Sequence, residues 1–270
     1  LDQQHLPTLL ALSNAYYAAQ NWDQAFKYYQ MVLAHHRDSV EKEALTDVFY
    51  RLGVIKREQG DRRKALNMFD KALEETPTHR PTLEAVVGLY ESQNDWEQVI
   101  HFKKQILEQA SGDERFQMLE LIGDLWNEKV KNASKAVEAY YEALEMRPKT
   151  HKLLHKLLIL HQSTKQWDSA IEIIERISGL VDDMDISEDS KKTQKSKYKY
   201  TVGVILRDEV KDLDRSLEEF NKALDFDPSQ LKAFEAVNKI LNGRKDWKAL
   251  ERAFRKMIHR ITGKSFAGNE

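Results

Sequence analysis

Cysteine is absent from the 270 residues, which removes disulfides, thiolate metal sites and thiol nucleophiles together. Breakers are scarce as well: five prolines and ten glycines beside 32% charged residues suit a mostly helical protein. An excess of one charge is missing too. With 42 basic and 44 acidic residues the formal net charge is −2, so nothing asks for a nucleic-acid backbone as partner. No apolar run approaches the roughly 18–20 residues that span a bilayer, so no membrane insertion is expected. No charged and apolar leader opens the chain, and cytoplasm is the expected location. The chain starts on Leu1 rather than methionine, as an excised or processed piece would. What is present is 41% apolar residues, enough for a long, narrow core.

Those residues are organised around Thr46 to His79. Apolar or small groups at Phe49, Leu52, Gly53 and Lys56 (by its stem) mark one helix. Ala65, Leu66, Phe69, Ala72 and Leu73 mark a second. Both sets follow the spacing of a helix with one buried face. Gly60-Asp61 breaks and caps between them, and Thr76-Pro77 stops the second. A hairpin this small cannot bury its own apolar face and has to stack on similar neighbours.

Counting Thr46 as position 1, the marked positions are 4, 7, 8, 11, 20, 24, 27 and 32, and the same register recurs along the chain. Copies begin at about residues 6, 46, 80, 116, 151, 196 and 231. The copies from 116 and 196 carry one extra residue between their helices. Gly53, Gly123 and Gly203 occupy position 8 only in even copies, as Pro77, Pro148 and Pro228 do position 32. Trp22, Trp96, Trp167 and Trp247 occupy position 17 only in odd ones. The expected reason for the glycines is close helix approach opposite the small residues Ala65, Ala136 and Ser216. Odd copies, with Ser13, Val87, Leu158 and Asn238 there, are expected to pack wider, with the tryptophan as a wedge. The unit of duplication reads as a pair of hairpins.

This pattern resembles the tetratricopeptide repeat, a 34-residue helix–turn–helix unit with small, aromatic and proline signature positions. The resemblance implies an all-α, right-handed superhelical solenoid of seven antiparallel helix hairpins, read as a single domain over 1–270. Val40 to Leu45 is expected to lengthen the next first helix. An insert falls at about 185–195, where DDMDISED (182–189) runs into KKTQKSKYK (191–199). It reads as a solvated loop entering a charged helix near Glu188 with Ser187 as cap, and the other reading is a docking insert. The tail 264–270 has no apolar pattern and reads as disorder or an interrupted helix.

Catalytic chemistry finds no support. His151 and His155 lie four apart on one helix face, but no HExxH carboxylate or cysteine joins them, so no metal or cofactor is expected. His101, His161 and His259 read as partly buried helix residues, and His35, His36 and His79 as turn residues. No Gly-rich phosphate loop, GxSxG or pocket-forming carboxylate pair is present.

The resemblance further implies that first helices line a concave groove, with positions 2, 5, 9 and 12 facing it. Along the chain those positions run from aromatic and aliphatic (Tyr17, Tyr50, Val54), through acidic (Glu84, Glu91, Glu120, Asp124), to basic and partly aromatic, with His155 and Tyr200. Each could also be plain solvation or padding. The four acids argue for more, because like charges held together repel unless something offsets them. The family's carboxylate clamp is absent: Leu10, Pro81 and Ala85 stand where its cations belong. The reading is a non-enzymatic interaction scaffold for a basic or amphipathic peptide or helix. The alternatives are a regulatory or targeting segment of a larger enzyme or signalling protein, and a scaffold that self-associates through uncapped ends.

Overall fold

The computed structural model describes residues 5–263, and every regular element among them is helical. The tail 264–270 and its expected disorder lie outside the described residues, as do residues 1–4. The chain divides into two compact units, residues 1–146 and 147–270, each taken here by itself.

The first unit holds α1 (Leu6–Ala18), α2 (Trp22–His36), α3 (Lys42–Glu58), α4 (Arg62–Glu75), α5 (Arg80–Gln93), α6 (Trp96–Gln109), α7 (Gly112–Asp124) and α8 (Ala133–Met146). The second holds α9 (His151–Ser163), α10 (Trp167–Leu180), α11 (Glu188–Ile205), α12 (Leu213–Phe226), α13 (Leu231–Arg244) and α14 (Trp247–Thr262). Odd-numbered helices are first helices and even-numbered ones second helices of the hairpins. Residues 42–45 belong to α3, which makes it 17 residues long. Ser187 caps α11 by accepting from the Ser190 N–H. Most of the insert is therefore helix, after a short 3₁₀ turn at Val181–Asp183.

One turn geometry closes all seven hairpins. The position-11 carbonyls of Tyr16, Lys56, Tyr90, Trp126, His161, Leu206 and Leu241 accept from the N–H of the residue that opens the next helix. Those residues are Asn21, Asp61, Asp95, Asn132, Gln166, Asp212 and Asp246, at 2.8–3.1 Å. The residue just before each is left-handed: Gln20, Gly60, Asn94, Lys131, Lys165, Lys211 and Lys245. Only Gly60 adopts that conformation without a β-carbon penalty. Six of the seven opening side chains cap by accepting from the N–H three residues on. Gln166 is one carbon too long and instead accepts from His161 Nδ1 at 2.7 Å.

The extra residue of the 116 and 196 copies does not lie between the helices. It is taken up inside the end of the first helix, as a π-helical turn at Leu125–Val130 and at Leu206–Val210. The position-11 carbonyl still finds its partner, now six residues on rather than five.

Packing corrects the expectation about glycine. A β-carbon on Gly53 would lie 2.4 Å from the Phe69 ring, on Gly123 2.4 Å from Tyr140, and on Gly203 2.6 Å from Phe220. The close partner is the position-24 ring, not the small residue at position 20. Where position 24 carries no ring (Lys103, Ile174), position 8 fills with Val87 or Leu158. Trp22, Trp96 and Trp167 are half-buried at the start of their helices and Trp247 is exposed. Trp96 lies beneath Lys129 Nζ, 5.0 Å from the ring centre, and so meets the next hairpin's π-turn, while Trp167 packs against the cluster of Ile171, Ile174, Val202, Ile205 and Leu206.

Candidate functional site

In the first unit, α1 and α3 build a linked aromatic and polar cluster on the face carrying positions 2, 5, 9 and 12. Tyr17 meets Trp22 edge-on at 5.5 Å and Tyr29 at 6.4 Å, with the Arg51 guanidinium 5.3 Å above its ring. Arg51 donates to Asn14 Oδ1 at 2.9 Å and to the Tyr29 hydroxyl at 3.3 Å, while that hydroxyl donates to Asn14 Oδ1 at 2.7 Å. Burial pushes the Tyr29 phenol up. Between the two helices lies a cavity of about 110 Å³ lined by Leu10, Asn14, Tyr29, Ala44, Asp47, Val48 and Arg51. Tyr50 leans on Phe69 at 6.1 Å and meets His79 edge-on at 5.6 Å. Val54 is buried in the cluster of Ala65, Phe69, Ala85 and Leu89, so Tyr50 is the apolar group left half-open.

The four acids stand apart from one another in their bonding. Arg80 Nε donates to Glu84 at 2.8 Å and the same guanidinium pairs with Glu114, which holds the Glu114 carboxyl below its ordinary range. Lys103 lies 3.4 Å from Glu91. Asp124 accepts from the Tyr140 hydroxyl at 2.6 Å; burial first, and then that bond, push the phenol well above its usual value. Glu120 is half-buried beside them on α7. Internal cations thus offset part of the charge that the sequence left uncompensated.

In the second unit His155 is exposed and stacks on His151 at 6.3 Å, with exposed Ile159 one turn on. Tyr200 leans on Phe220 at 5.6 Å, and Arg207 holds Asp208 by two bonds of 2.7 Å, keeping that carboxyl below its ordinary range. Position 4 of the 196 copy is Lys199, where the others carry Leu or Phe. Its ammonium bonds both oxygens of Glu175 at 2.6 Å and lies 3.3 Å from buried Glu219, which also pairs with Lys222.

Among the described residues no group of three or more His, Asp or Glu side chains could hold a metal. His161 is fully buried, whereas His101 and His259 are exposed, not partly buried as expected. No described helix is long and apolar enough to cross a membrane. Arg51, at the centre of the α1–α3 cluster, was not among the residues singled out in the sequence. Its position 6 lies one residue from a groove-facing position, and that adjacency was the available signal.

Residues 5–74 match a family model described as tetratricopeptide repeat. No curated protein matches the chain in sequence. A solved chain of the Naa15/Naa10 assembly bound to HypK-THB superposes with a TM-score of 0.52 at 16% identity, over 94% of this chain and 37% of that one. Two other solved structures align less closely. The C-terminal part of a TPR repeat-containing protein from Cytophaga hutchinsonii gives 0.44 at 14% identity, over 87% of this chain and 89% of that one. A tetratricopeptide repeat protein from Parabacteroides merdae gives 0.43 at 17% identity, over 86% and 97%.

Proposed function

We propose, from the premise that this chain belongs to the tetratricopeptide-repeat family, that it is a non-catalytic scaffold holding a partner segment against its first helices. Such a fold offers repeated helix faces rather than a reaction centre. In the first unit the partner lies across α1, α3, α5 and α7, touching Tyr17, Tyr50, Glu84, Glu91, Glu120 and Asp124, with Val54 backing Tyr50. In the second unit His155 and Tyr200 supply the equivalent positions. The observation that supports this most directly is the half-open aromatic pair Tyr17 and Tyr50, with Arg51 beside them and exposed Glu84 and Glu91 on the adjoining α5. A basic amphipathic helix, or an extended segment with Lys or Arg beside an apolar anchor, fits that surface. The charges speed its arrival, and the apolar anchor slows its departure.

Glu84→Lys with Glu91→Lys tests the reading without disturbing the Tyr140–Asp124 bond. Titrated with a basic amphipathic peptide, the double variant is expected to bind at least tenfold more weakly, and wild-type affinity to fall as salt rises. Equal affinity in the two proteins removes this face from the account. A second reading, a segment of a larger assembly, draws support from the Naa15/Naa10 alignment, where this chain spans 37% of the matched one.

A further inference from the structure

We infer that the first-helix face of the second unit takes an acidic amphipathic helix, opposite in sign to the segment proposed for the first unit. On α11 that face carries Lys197, Tyr200, Val204 and Arg207, and on α13 it carries Lys232, Glu235 and Lys239. Steps of three and four put each set on one side of its helix. The two sides adjoin. Tyr200 and Val204 pack against the cluster of Ala233, Ala236 and Val237 from α13, and Asp208, held ionised first by Arg207, also feels Lys239.

Pairing inside the protein leaves this face unbalanced. Lys191, Lys195, Lys199 and Arg207 of α11 are each in an ion pair. Lys197, Lys232 and Lys239 are exposed, and among the described residues no ion pair or hydrogen bond engages their ammonium groups. Against these three cations the same positions offer only Glu235. The first unit differs, because Arg80 and Lys103 there answer Glu84 and Glu91.

Charge and spacing select the occupant. Lys232 and Lys239 lie seven residues apart, two turns or about 10.5 Å along α13. A partner helix laid along it repeats at the same interval, so glutamates at i and i+7 meet both lysines. A leucine at i+3 or i+4 then faces half-buried Tyr200 and Val204. Ile159, at the level of Val204 on α9, is 65% exposed and adds apolar surface. Nucleic acid matches less well, since Glu235 and Asp208 among the cations repel phosphates. The proposal rests on the wider reading that first helices hold the partner.

The test titrates the intact protein with a fluorescent synthetic helix of that design. One twin has lysines for its glutamates and another has serine for its leucine. Anisotropy should show saturable binding of the acidic helix and at least tenfold weaker binding of both twins. Lys197→Gln, Lys232→Gln and Lys239→Gln together, all at exposed positions, should weaken the acidic helix at least tenfold while the melting curve stays put. Glu84→Lys with Glu91→Lys should leave it unchanged. Absent binding, or equal binding of either twin, overturns the proposal, and so does equal affinity in the triple variant. A single-stranded oligonucleotide that outcompetes the acidic helix also overturns it, by assigning the face to phosphates. The α5–α7 reading falls only if the basic peptide ignores Glu84→Lys with Glu91→Lys, so the two failures are distinguishable.

Discussion

The Phe69 ring occupies the space that a β-carbon on Gly53 would need, leaving 2.4 Å where about 3.5 Å or more is ordinary contact. Gly53→Ala therefore sets helix propensity, which favours alanine by about 1 kcal/mol, against overpacking, which costs on the order of 1–3 kcal/mol. Overpacking is expected to win, because an aromatic ring enclosed on all sides cannot step aside. Gly88→Ala on α5 is the control, since nothing lies within 4 Å of its β-carbon site. It should gain up to about 1 kcal/mol. Thermal melts of the two variants moving in the same direction would refute the account.

Tyr140 and Phe220 hold the same position, but only the tyrosine donates a hydrogen bond to a carboxylate, that of Asp124. Its folded pKa is raised above the unfolded value of about 10. The stability this contributes is fully present below pH 10 and is lost as pH rises beyond it, because the unfolded chain ionises first. Tyr140→Phe should cost on the order of 1–2 kcal/mol at neutral pH. It should also flatten the fall of the melting temperature between pH 9 and 11. An unchanged alkaline slope would place the loss at another phenol, Tyr29 being the first to try.

Four of the seven left-handed turn residues are lysines, at 131, 165, 211 and 245. Each bears a conformational cost of about 1 kcal/mol that glycine does not. Lys131→Gly is expected to raise stability by about 0.5–1 kcal/mol, and Gly60→Ala to lower it by a similar amount. Chemical denaturation midpoints check both, and a destabilised Lys131→Gly would mean the lysine side chain matters more than its backbone.

Lys199 serves two carboxylates from a position that other hairpins fill with a hydrocarbon. Lys199→Met alone should destabilise by on the order of 2 kcal/mol, below the full cost of a buried charge because Glu175 is partly solvated. Adding Glu219→Leu and Glu175→Gln should recover most of the loss. If the single and triple variants melt alike, the three charges are not coupled.

The hairpins were legible in the sequence because a 34-residue register puts one apolar stripe on each helix, and seven copies leave little room for chance. Caps such as Asp61 and Ser187 were legible for the same local reason. What could not be read was the direction of each side chain. The identity of Gly53's close partner depends on where the Phe69 ring points, and the sequence offered Ala65 at an equally plausible position. Likewise the four acids on α5 and α7 looked like an unbalanced cluster, until Arg80, Lys103 and Tyr140 were found against three of them. Those partners lie at least four residues away, and which carboxylate each one meets depends on where its side chain points, so spacing alone could not supply them.

The bond from each position-11 carbonyl to the N–H that opens the next helix survives whether five or six residues separate them. That makes the hairpin bend a tolerance joint for chain length. A single residue can enter or leave there by winding or unwinding one helical turn, and every side chain downstream keeps its neighbours. For protein engineering this marks residues 126–132 and 206–212 as splice points. There a one-residue reporter or crosslinkable group can be inserted or removed without resetting the stack beyond it.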